Sequence, residues 1–216
     1  MSEESAAQSP PWSRVEETRR EVSRRYPSVW KLPLRRRWSD VLLEATEGCG
    51  SILDLGAGDR RVEALLRQRD PELDYRSLDI DDRGAYDYHS FDDVDRRFDA
   101  ACGLEWIEHL ELTEAEAAMR SLAGHLDEGG VVVLTTPNTF YPPAYLRDST
   151  HRTPFCYDEL GGLLLRHGFE LTGVFRLYHA PFVWKVLRRG LLAPLHRVLG
   201  IDFARQIAIV GRRSGP

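Results

Sequence analysis

The sequence is poor in cysteine and lacks a long apolar run. Its three cysteines, Cys49, Cys102 and Cys156, are too few and too widely spaced for a disulfide framework or a CxxC zinc site. No stretch of about 18 apolar residues predicts a membrane-spanning helix. The polar, acidic start predicts no secretory signal. We therefore expect a cytoplasmic protein with reduced thiols.

The chain also lacks the basic excess of a general nucleic-acid-binding protein. Its 216 residues carry a formal net charge of −5, which argues against binding to duplex DNA. With 42% hydrophobic and 29% charged residues, the composition is that of an ordinary globular protein. The length suits one domain with an appendage, and a chain of this size can bury a substantial core.

Apolar runs alternate with amphipathic segments along most of the chain. The predicted helices lie at about 33–47, 59–69, 113–126 and 157–167. The predicted strands lie at about 51–55, 73–79, 85–89, 98–104, 131–136, 169–178 and 203–210. This alternation predicts an α/β fold: a doubly wound, Rossmann-like sheet of about seven mostly parallel strands with helices on both faces. Thr113 is the expected N-cap of its helix, with Glu116 completing a capping box.

The chain divides into a tail, a cap and one main domain. We expect a disordered tail at 1–11, an N-terminal helical cap at 12–47 and the main domain at 48–216. A helical insertion is predicted at about 181–199, kinked by Pro194. Apolar residues at helical spacing mark this insertion: Trp184, Leu187, Leu191, Leu195 and Val198. They favour a helix packed on the sheet or over the substrate cleft, or a surface that docks on a membrane or a lipid-linked substrate.

A glycine turn follows the first predicted strand of the main domain. Gly56 and Gly58 allow a tight turn and close approach of a ligand, and the next helix offers free N–H groups to an anion. Asp79 follows the second strand, where a carboxylate can accept both hydroxyls of a ribose. Arg61 occupies the position of the third glycine of a dinucleotide fingerprint, so a dinucleotide is disfavoured. The smaller amino-acid end of S-adenosylmethionine fits this turn better.

Several segments share their order and spacing with one enzyme family. They are 52–58, 78–81, 98–101, 105–110, 129–138 and 168–170. Over about residues 48–175, the sequence resembles the class I S-adenosylmethionine-dependent methyltransferases. The resemblance implies S-adenosylmethionine as cofactor and an antiparallel last strand. It also implies in-line transfer of a methyl group to an oxygen or nitrogen of a small-molecule or glycan acceptor.

The same resemblance assigns residues to the cofactor. They are Asp54, Gly56, Ala57, Gly58, Asp79, Ile80, Asp87, Tyr88 and Leu104. Gly56 and Gly58 would admit the methionine end, and Asp54 would orient the turn or bond the amino group. Asp79 would hold the ribose hydroxyls, and Ile80 would pack on the adenine.

Further implied contacts follow the later strands. Asp87 and Tyr88 resemble the pair that meets the adenine edge, and Leu104 and Glu105 would lie near the sulfonium. Arg60 stands where such proteins often carry another glycine, so its side chain is either turned outward or helps to hold the cofactor carboxylate.

A hydroxyl acceptor needs a base, and the candidate catalytic residues are His109, His151 and Glu105. Glu105, Glu108 and His109 share one face of a helical turn, and His151 follows the fifth strand. This set resembles the metal site of small-RNA 3′-terminal ribose 2′-O-methyltransferases, which makes Mg²⁺- or Mn²⁺-assisted methylation of RNA an alternative. The leading interpretation assigns no metal ligand. A further alternative is a non-catalytic protein that only binds S-adenosylmethionine.

Overall fold

The computed structural model describes residues 12–215, apart from the side chains of Phe182, Lys185 and Arg189. The predicted tail at 1–11 lies outside the described residues. The strands are β1 (Leu34–Arg35), β2 (Ser51–Leu55), β3 (Asp74–Leu78), β4 (Phe98–Leu104), β5 (Leu126–Pro137), β6 (Phe169–Leu177) and β7 (Gln206–Arg213). The helices are α1 (Trp12–Arg25), α2 (Trp38–Ala45), α3 (Arg61–Arg69), α4 (Leu112–Gly124), α5 (Pro142–Leu146), α6 (Tyr157–Arg166), α7 (Phe182–Val186) and α8 (Ala193–Val198).

The seven strands form a single sheet in the order β1-β6-β7-β5-β4-β2-β3. All neighbouring strands are parallel except β7, which runs antiparallel to both β5 and β6. The predicted Rossmann-like fold with an antiparallel last strand is thus confirmed. The chain runs outward from β2 to β3 and returns on the other side as β4, so the strand order reverses between β2 and β4. Ligands bind at such a reversal, beyond the carboxyl ends of the strands, an edge we call the carboxyl edge.

Alternating side chains of the central strands bury two separate cores. Leu53 of β2 and Val132 of β5 face the core formed with α1, α4 and α6. Their neighbours Ile52 and Val133 face the core formed with α2 and α3. Because successive side chains of a strand point to opposite faces, apolar runs in these strands bury both faces of the sheet. Among the described helices, none has both the length and the apolar character that crossing a membrane requires.

Two predicted elements at the ends of the sheet are wrong. The strand expected at 85–89 is reduced to one bridge between Leu78 and Tyr88, because so short a connection cannot carry a crossover to a full parallel neighbour. The helix expected at 33–47 begins only at Trp38. The residues before it form β1, whose backbone accepts hydrogen bonds along the outer edge of β6, including Tyr178 N–H to the Arg35 carbonyl at 2.9 Å.

Two helical predictions also need correction. The cap of α4 is Glu111, whose N–H donates to the Glu114 carboxylate at 2.8 Å, so the capping box lies two residues earlier than Thr113 and Glu116. The insertion at 181–199 is divided into α7, a wide π-type turn at Leu187–Leu191, and α8. Pro194 lies in the first turn of α8, where a missing backbone N–H costs the helix no hydrogen bond.

Candidate functional site

The glycine turn lies directly beyond β2, at the reversal of strand order. Gly56 has φ +66°, and its N–H donates to the carbonyl of Leu78 at 2.8 Å. A Cβ on Gly56 would lie 2.6 Å from Cδ1 of Trp106, so the position has no room for a side chain. Gly58 has φ +45°, and a Cβ there would come no nearer than 3.9 Å to another atom. The turn therefore leaves open space for a ligand beside Gly58.

Asp79 and Ile80 follow β3 and border this turn. The Asp79 carboxylate accepts the N–H of Gly58 at 2.9 Å and the N–H of Asp81 at 3.0 Å. The side chain of Ile80 is 87% exposed, an unusual state for a large apolar residue. A carboxylate beside an open apolar surface suits the ribose and adenine of a nucleoside, and the roles of Asp79 and Ile80 in holding them stay a prediction.

Asp54 lies beneath the turn and is bonded inside the protein. Its carboxylate accepts the hydroxyl of Tyr75 at 2.6 Å and the thiol of Cys102 at 3.3 Å. Burial raises the pKa of Asp54 to about 6, even though both hydrogen bonds lower it. These contacts suit the orienting role of Asp54 better than a direct bond to the cofactor.

Asp87 and Arg60 form one ion-pair cluster beside β3. The Asp87 carboxylate accepts the N–H of Ser77 at 2.9 Å and bonds to Arg76 at 3.1 Å and Arg60 at 3.4 Å. Arg60 has φ +56° and also donates to the Ser77 hydroxyl at 2.8 Å, so its guanidinium points to β3. Tyr88 packs on the core. The predicted contact of Asp87 and Tyr88 with the adenine edge stays a prediction.

Leu104 and Glu105 come at the carboxyl end of β4, across the crevice from the glycine turn. Leu104 is buried, and Glu105 takes the left-handed conformation with φ +54°. The Glu105 N–H donates to the Thr135 carbonyl at 3.2 Å, and the Thr135 hydroxyl donates to the Glu105 carboxylate at 3.3 Å. Burial raises the pKa of Glu105, and hydrogen bonds from Gln206 and Thr135 partly offset this. Residues from the ends of three strands, β4, β5 and β7, thus meet at one carboxylate.

The loop after α5 places His151 beside His109. The N–H groups of Arg152 and Thr153 donate to the Glu108 carbonyl at 2.7 and 3.1 Å, which fastens the loop to the turn after β4. The two imidazole ring centroids are 4.9 Å apart in an edge-to-face arrangement. The structure therefore brings together His109 and His151, as the sequence predicted.

Hydrogen bonds fix the orientation of both imidazoles. Nδ1 of His151 lies 2.8 Å from the Tyr145 carbonyl, which can only accept, so Nδ1 carries the proton and Nε2 keeps its lone pair when the ring is neutral. Nδ1 of His109 lies 3.0 Å from the Thr150 hydroxyl, which itself donates to the Asp148 carboxylate at 2.6 Å. His109 therefore donates through Nδ1 as well. Among the described residues, Nε2 of each ring has no hydrogen-bond partner, although Nε2 of His151 lies 4.0 Å from the Asp148 carboxylate, so both nitrogens can take a proton or a cation.

Glu108 is fully buried beside these rings. Within the described part of the chain, neither of its carboxyl oxygens has a hydrogen-bond partner. Burial, with a further contribution from Glu105, raises the pKa of Glu108 to about 9. Ligand atoms of Glu108, His109 and His151 all lie within 4.8 Å of one another. An unpartnered buried carboxyl group among two imidazoles fits a divalent cation, which would satisfy its oxygens.

Several residues that shape this site were not predicted from the sequence. Thr135 and Gln206 hold Glu105, Tyr145 orients His151, and Thr150 orients His109. A polar residue at the end of the apolar run of β5 was a signal for Thr135. Gln206 and Thr150 act across distant segments, and Tyr145 acts through its backbone carbonyl, so residue type alone does not indicate any of the three contacts.

Comparison with known proteins agrees with this geometry. A family model described as a methyltransferase domain matches residues 30–174. A methyltransferase from Archaeoglobus fulgidus that depends on S-adenosylmethionine has a similar structure, with a TM-score of 0.65 and 15% identity, covering 92% of this chain and 94% of that chain. Another from Mesorhizobium loti has a TM-score of 0.57 and 18% identity, covering 81% and 95%. The cyclase SpnF has a TM-score of 0.56 and 18% identity, covering 82% and 80%.

No curated protein matches the chain by sequence. At such low identities the solved structures show the fold alone, whereas the family model covers more than half of the chain. The open glycine turn, Asp79 and exposed Ile80 fit S-adenosylmethionine, which supplies a methyl group activated by a positively charged sulfur. The chain belongs to the methyltransferase-domain family and is an S-adenosylmethionine-dependent methyltransferase.

Proposed function

We propose that the enzyme methylates a small-molecule or glycan acceptor on an oxygen or nitrogen, and that a hydroxyl oxygen is the better supported of the two. The observation that carries the proposal is the orientation of His151. Its Nδ1–H is held by the Tyr145 carbonyl, and its Nε2 is left to accept a proton at the carboxyl edge. An amine that is neutral at working pH needs no such base, whereas a hydroxyl does.

The chain's own residues would align the reactants and remove one proton. Gly56 lets the turn pass close to Trp106, Gly58 would leave room for the amino-acid end of the cofactor, and Asp79 would hold the ribose. Buried Leu104 would line the reacting centre and help to exclude water. Nε2 of His151 would accept the proton that the acceptor hydroxyl loses when its oxygen takes the methyl group, and the sulfur would leave as the neutral thioether of S-adenosylhomocysteine. Positioning supplies most of the acceleration in such a displacement.

The test is transfer of labelled methyl from S-adenosylmethionine to a panel of hydroxyl and amine acceptors. His151→Ala should lower kcat by about 10²- to 10⁴-fold, because a general base contributes about that much. The affinity for S-adenosylhomocysteine, measured by calorimetry, should stay unchanged. His125→Ala, on the far side of the sheet at the end of α4, is the matched control. Full activity of His151→Ala on a hydroxyl acceptor would refute the role of His151.

A second candidate function is cation-assisted methylation of the 3′-terminal ribose of RNA. The unpartnered carboxyl oxygens of Glu108 beside His109 and His151 favour it. Those three residues would hold the ion, with Glu105 as the fourth ligand that the sequence resemblance implies. A bound Mg²⁺ or Mn²⁺ would act as a Lewis acid on ribose oxygens. In that case His151 would be a ligand and not a base.

Calorimetric titration with Mn²⁺ and Mg²⁺ separates the two candidates. The cation candidate predicts one site in the presence of S-adenosylhomocysteine, lost in Glu108→Gln and kept in Glu128→Gln, whose carboxylate is exposed. It also predicts that a chelator abolishes methyl transfer to RNA. If neither cation binds with or without S-adenosylhomocysteine, the cation-assisted candidate is wrong and the general-base candidate stands.

We also propose that the insertion at 181–199 contacts a membrane or a lipid-linked acceptor. Seven large apolar side chains of this segment are exposed: Val183, Trp184, Val186, Leu191, Leu195, Val198 and Leu199. Soluble proteins rarely expose a contiguous apolar surface without a binding role. Arg188 and Arg197 flank these side chains, as suits contact with anionic headgroups.

A further inference from the structure

A basic cavity of about 600 Å³ opens at the carboxyl edge, beside the end of β6 and the start of β7. Four arginines and two tryptophans dominate its lining: Arg36, Arg37, Arg188, Arg205, Trp38 and Trp184. They come from three separate parts of the chain: the segment before α2, the insertion, and the start of β7. The fold therefore gathers cationic and aromatic groups that the sequence keeps far apart.

The positive charge of this cavity is not neutralised nearby. Its lining includes no acidic residue, and none of its four arginines forms an ion pair with an acid of the described residues. Arg36 instead approaches Nε2 of His179 at 3.3 Å, and the guanidinium of Arg188 lies over the ring of Trp184 at 5.5 Å. Arginine forks bind carboxylate and phosphate in a bidentate manner, and unpaired ones attract such anions most strongly.

Two lining residues, Gln206 and Trp38, connect the cavity to the turns that follow β4 and β2. Gln206 lines it and also lies beside the Glu105 carboxylate at the end of β4, whose pKa it lowers. Trp38 lies on its other side, under the guanidinium of Arg61 at 5.5 Å, and Arg61 opens the helix that follows the glycine turn. A molecule in the cavity would thus reach from the arginines toward the place where the methyl group is transferred.

From these observations, and resting on the proposed function, we infer that the cavity binds a phosphate or carboxylate group of the methyl acceptor. The arginines hold the anion, and Trp38 and Trp184 pack on the adjoining part of the molecule. The acceptor is therefore an anionic compound whose reactive atom lies a short distance from its negative group. The proposed function assigns the cofactor's own carboxylate to the glycine turn, which leaves the arginines of the cavity for the acceptor.

The experiment is calorimetric titration of the protein, saturated with S-adenosylhomocysteine, with pyrophosphate and separately with benzoate. Saturation blocks the cofactor's own anion site, so any remaining binding reports the cavity. At least one probe should bind at a single site, and Arg36→Gln/Arg188→Gln should raise its Kd at least ten-fold. Arg120→Gln, an exposed arginine of α4, is the matched control and should leave the Kd unchanged. Thermal unfolding of each variant verifies that the fold is kept.

The outcomes separate the inference from the function on which it rests. No binding of either probe, or equal binding by Arg36→Gln/Arg188→Gln and the wild type, overturns the inference. If the double variant does not fold, Arg205→Gln alone must still weaken binding. Competition by phosphatidylglycerol vesicles would assign the anion to a lipid headgroup, and its absence to a soluble acceptor. Failure of S-adenosylhomocysteine to bind would refute the proposed function, and the probes would then be titrated into the free protein.

Discussion

At the scale of single residues, Asp54 supports the glycine turn through a buried, hydrogen-bonded carboxyl group. Asp54 is 2% exposed, yet it is the next-to-last residue of the strand that leads into the glycine turn. The hydroxyl of Tyr75 and the thiol of Cys102 are its hydrogen-bond donors. Two neutral donors compensate only part of the cost of burying a charge, which is why the pKa of Asp54 rises.

Asp54→Asn should therefore become relatively more stable as the pH rises. Burial raises the folded pKa of Asp54 from 3.8 to about 6. Protonated Asp54 therefore stabilises the folded wild type at low pH, and this stabilisation is lost as the pH rises through 6. The change in the free energy of unfolding amounts to about 3 kcal/mol over the whole titration, of which about 1–2 kcal/mol occurs between pH 5 and 8. Urea unfolding of wild type and variant across that range measures it.

An exposed carboxylate provides the control for this effect. In Asp95→Asn the difference in unfolding free energy from the wild type should stay constant over the same pH range, because Asp95 is exposed. A difference between Asp54→Asn and wild type that does not vary with pH would contradict the argument from burial.

The residues that the sequence assigns to the cofactor could be identified because they are close in sequence. Gly56, Gly58 and Ile80 belong to short segments whose residue types alone indicate a turn or an apolar contact. Gln206 reaches Glu105 only because β7 inserts antiparallel between β5 and β6. Such a contact depends on the completed sheet, so no local pattern could have revealed it.

At the scale of elements, one ion-pair cluster joins α4 to the end of α6. The Glu116 carboxylate accepts from Arg166 at 2.5 Å and lies 2.6 Å from Nε2 of His167. All three side chains are less than 10% exposed. The sequence predicted Glu116 as a capping residue because its spacing from Thr113 fits that motif. Its actual role depends on a partner helix some fifty residues later.

Glu116→Gln should destabilise the protein by about 3–5 kcal/mol, because it leaves the guanidinium of Arg166 buried without a counter-charge. Urea unfolding at neutral pH measures the loss. Glu17→Gln removes an exposed carboxylate of α1 and should change the free energy of unfolding by less than about 0.5 kcal/mol. A loss below about 1 kcal/mol in Glu116→Gln would mean that the two helices are held by apolar contacts alone.

The same cluster should make the protein sensitive to acid. Burial alone would raise the pKa of Glu116, but hydrogen bonds from His167 and Arg166 outweigh it and lower the pKa. A lowered folded pKa means that this stabilisation is present above the ordinary carboxyl pKa and is lost as the pH falls through the folded value. Between pH 5 and pH 3, the wild type should therefore lose stability more steeply than Glu116→Gln. Parallel stability curves would contradict this.

At the scale of the whole molecule, the insertion at 181–199 lies on the surface, and the rest of the fold does not cover its apolar side chains. Sequence spacing suggested one amphipathic helix, but the π-type turn at Leu187–Leu191 divides it and turns its apolar side chains outward. Arg188 of this turn also lines the basic cavity. The basic cavity at the carboxyl edge and the exposed apolar surface of the insertion thus lie next to each other. This arrangement suits an acceptor with an anionic head and a lipid part.

Binding to anionic vesicles should depend on this layer. Leu191 is 76% and Val198 83% exposed, and burying such side chains in a bilayer interface is worth roughly 1.5–3 kcal/mol each when complete. Leu191→Ser/Val198→Ser should therefore lower co-sedimentation with phosphatidylglycerol vesicles at low salt at least ten-fold. Leu146→Ser, which alters an equally exposed leucine of α5, is the matched control and should bind as the wild type does. If the wild type does not co-sediment, or if Leu191→Ser/Val198→Ser binds as well as the control Leu146→Ser does, the insertion covers the cleft without contacting lipid.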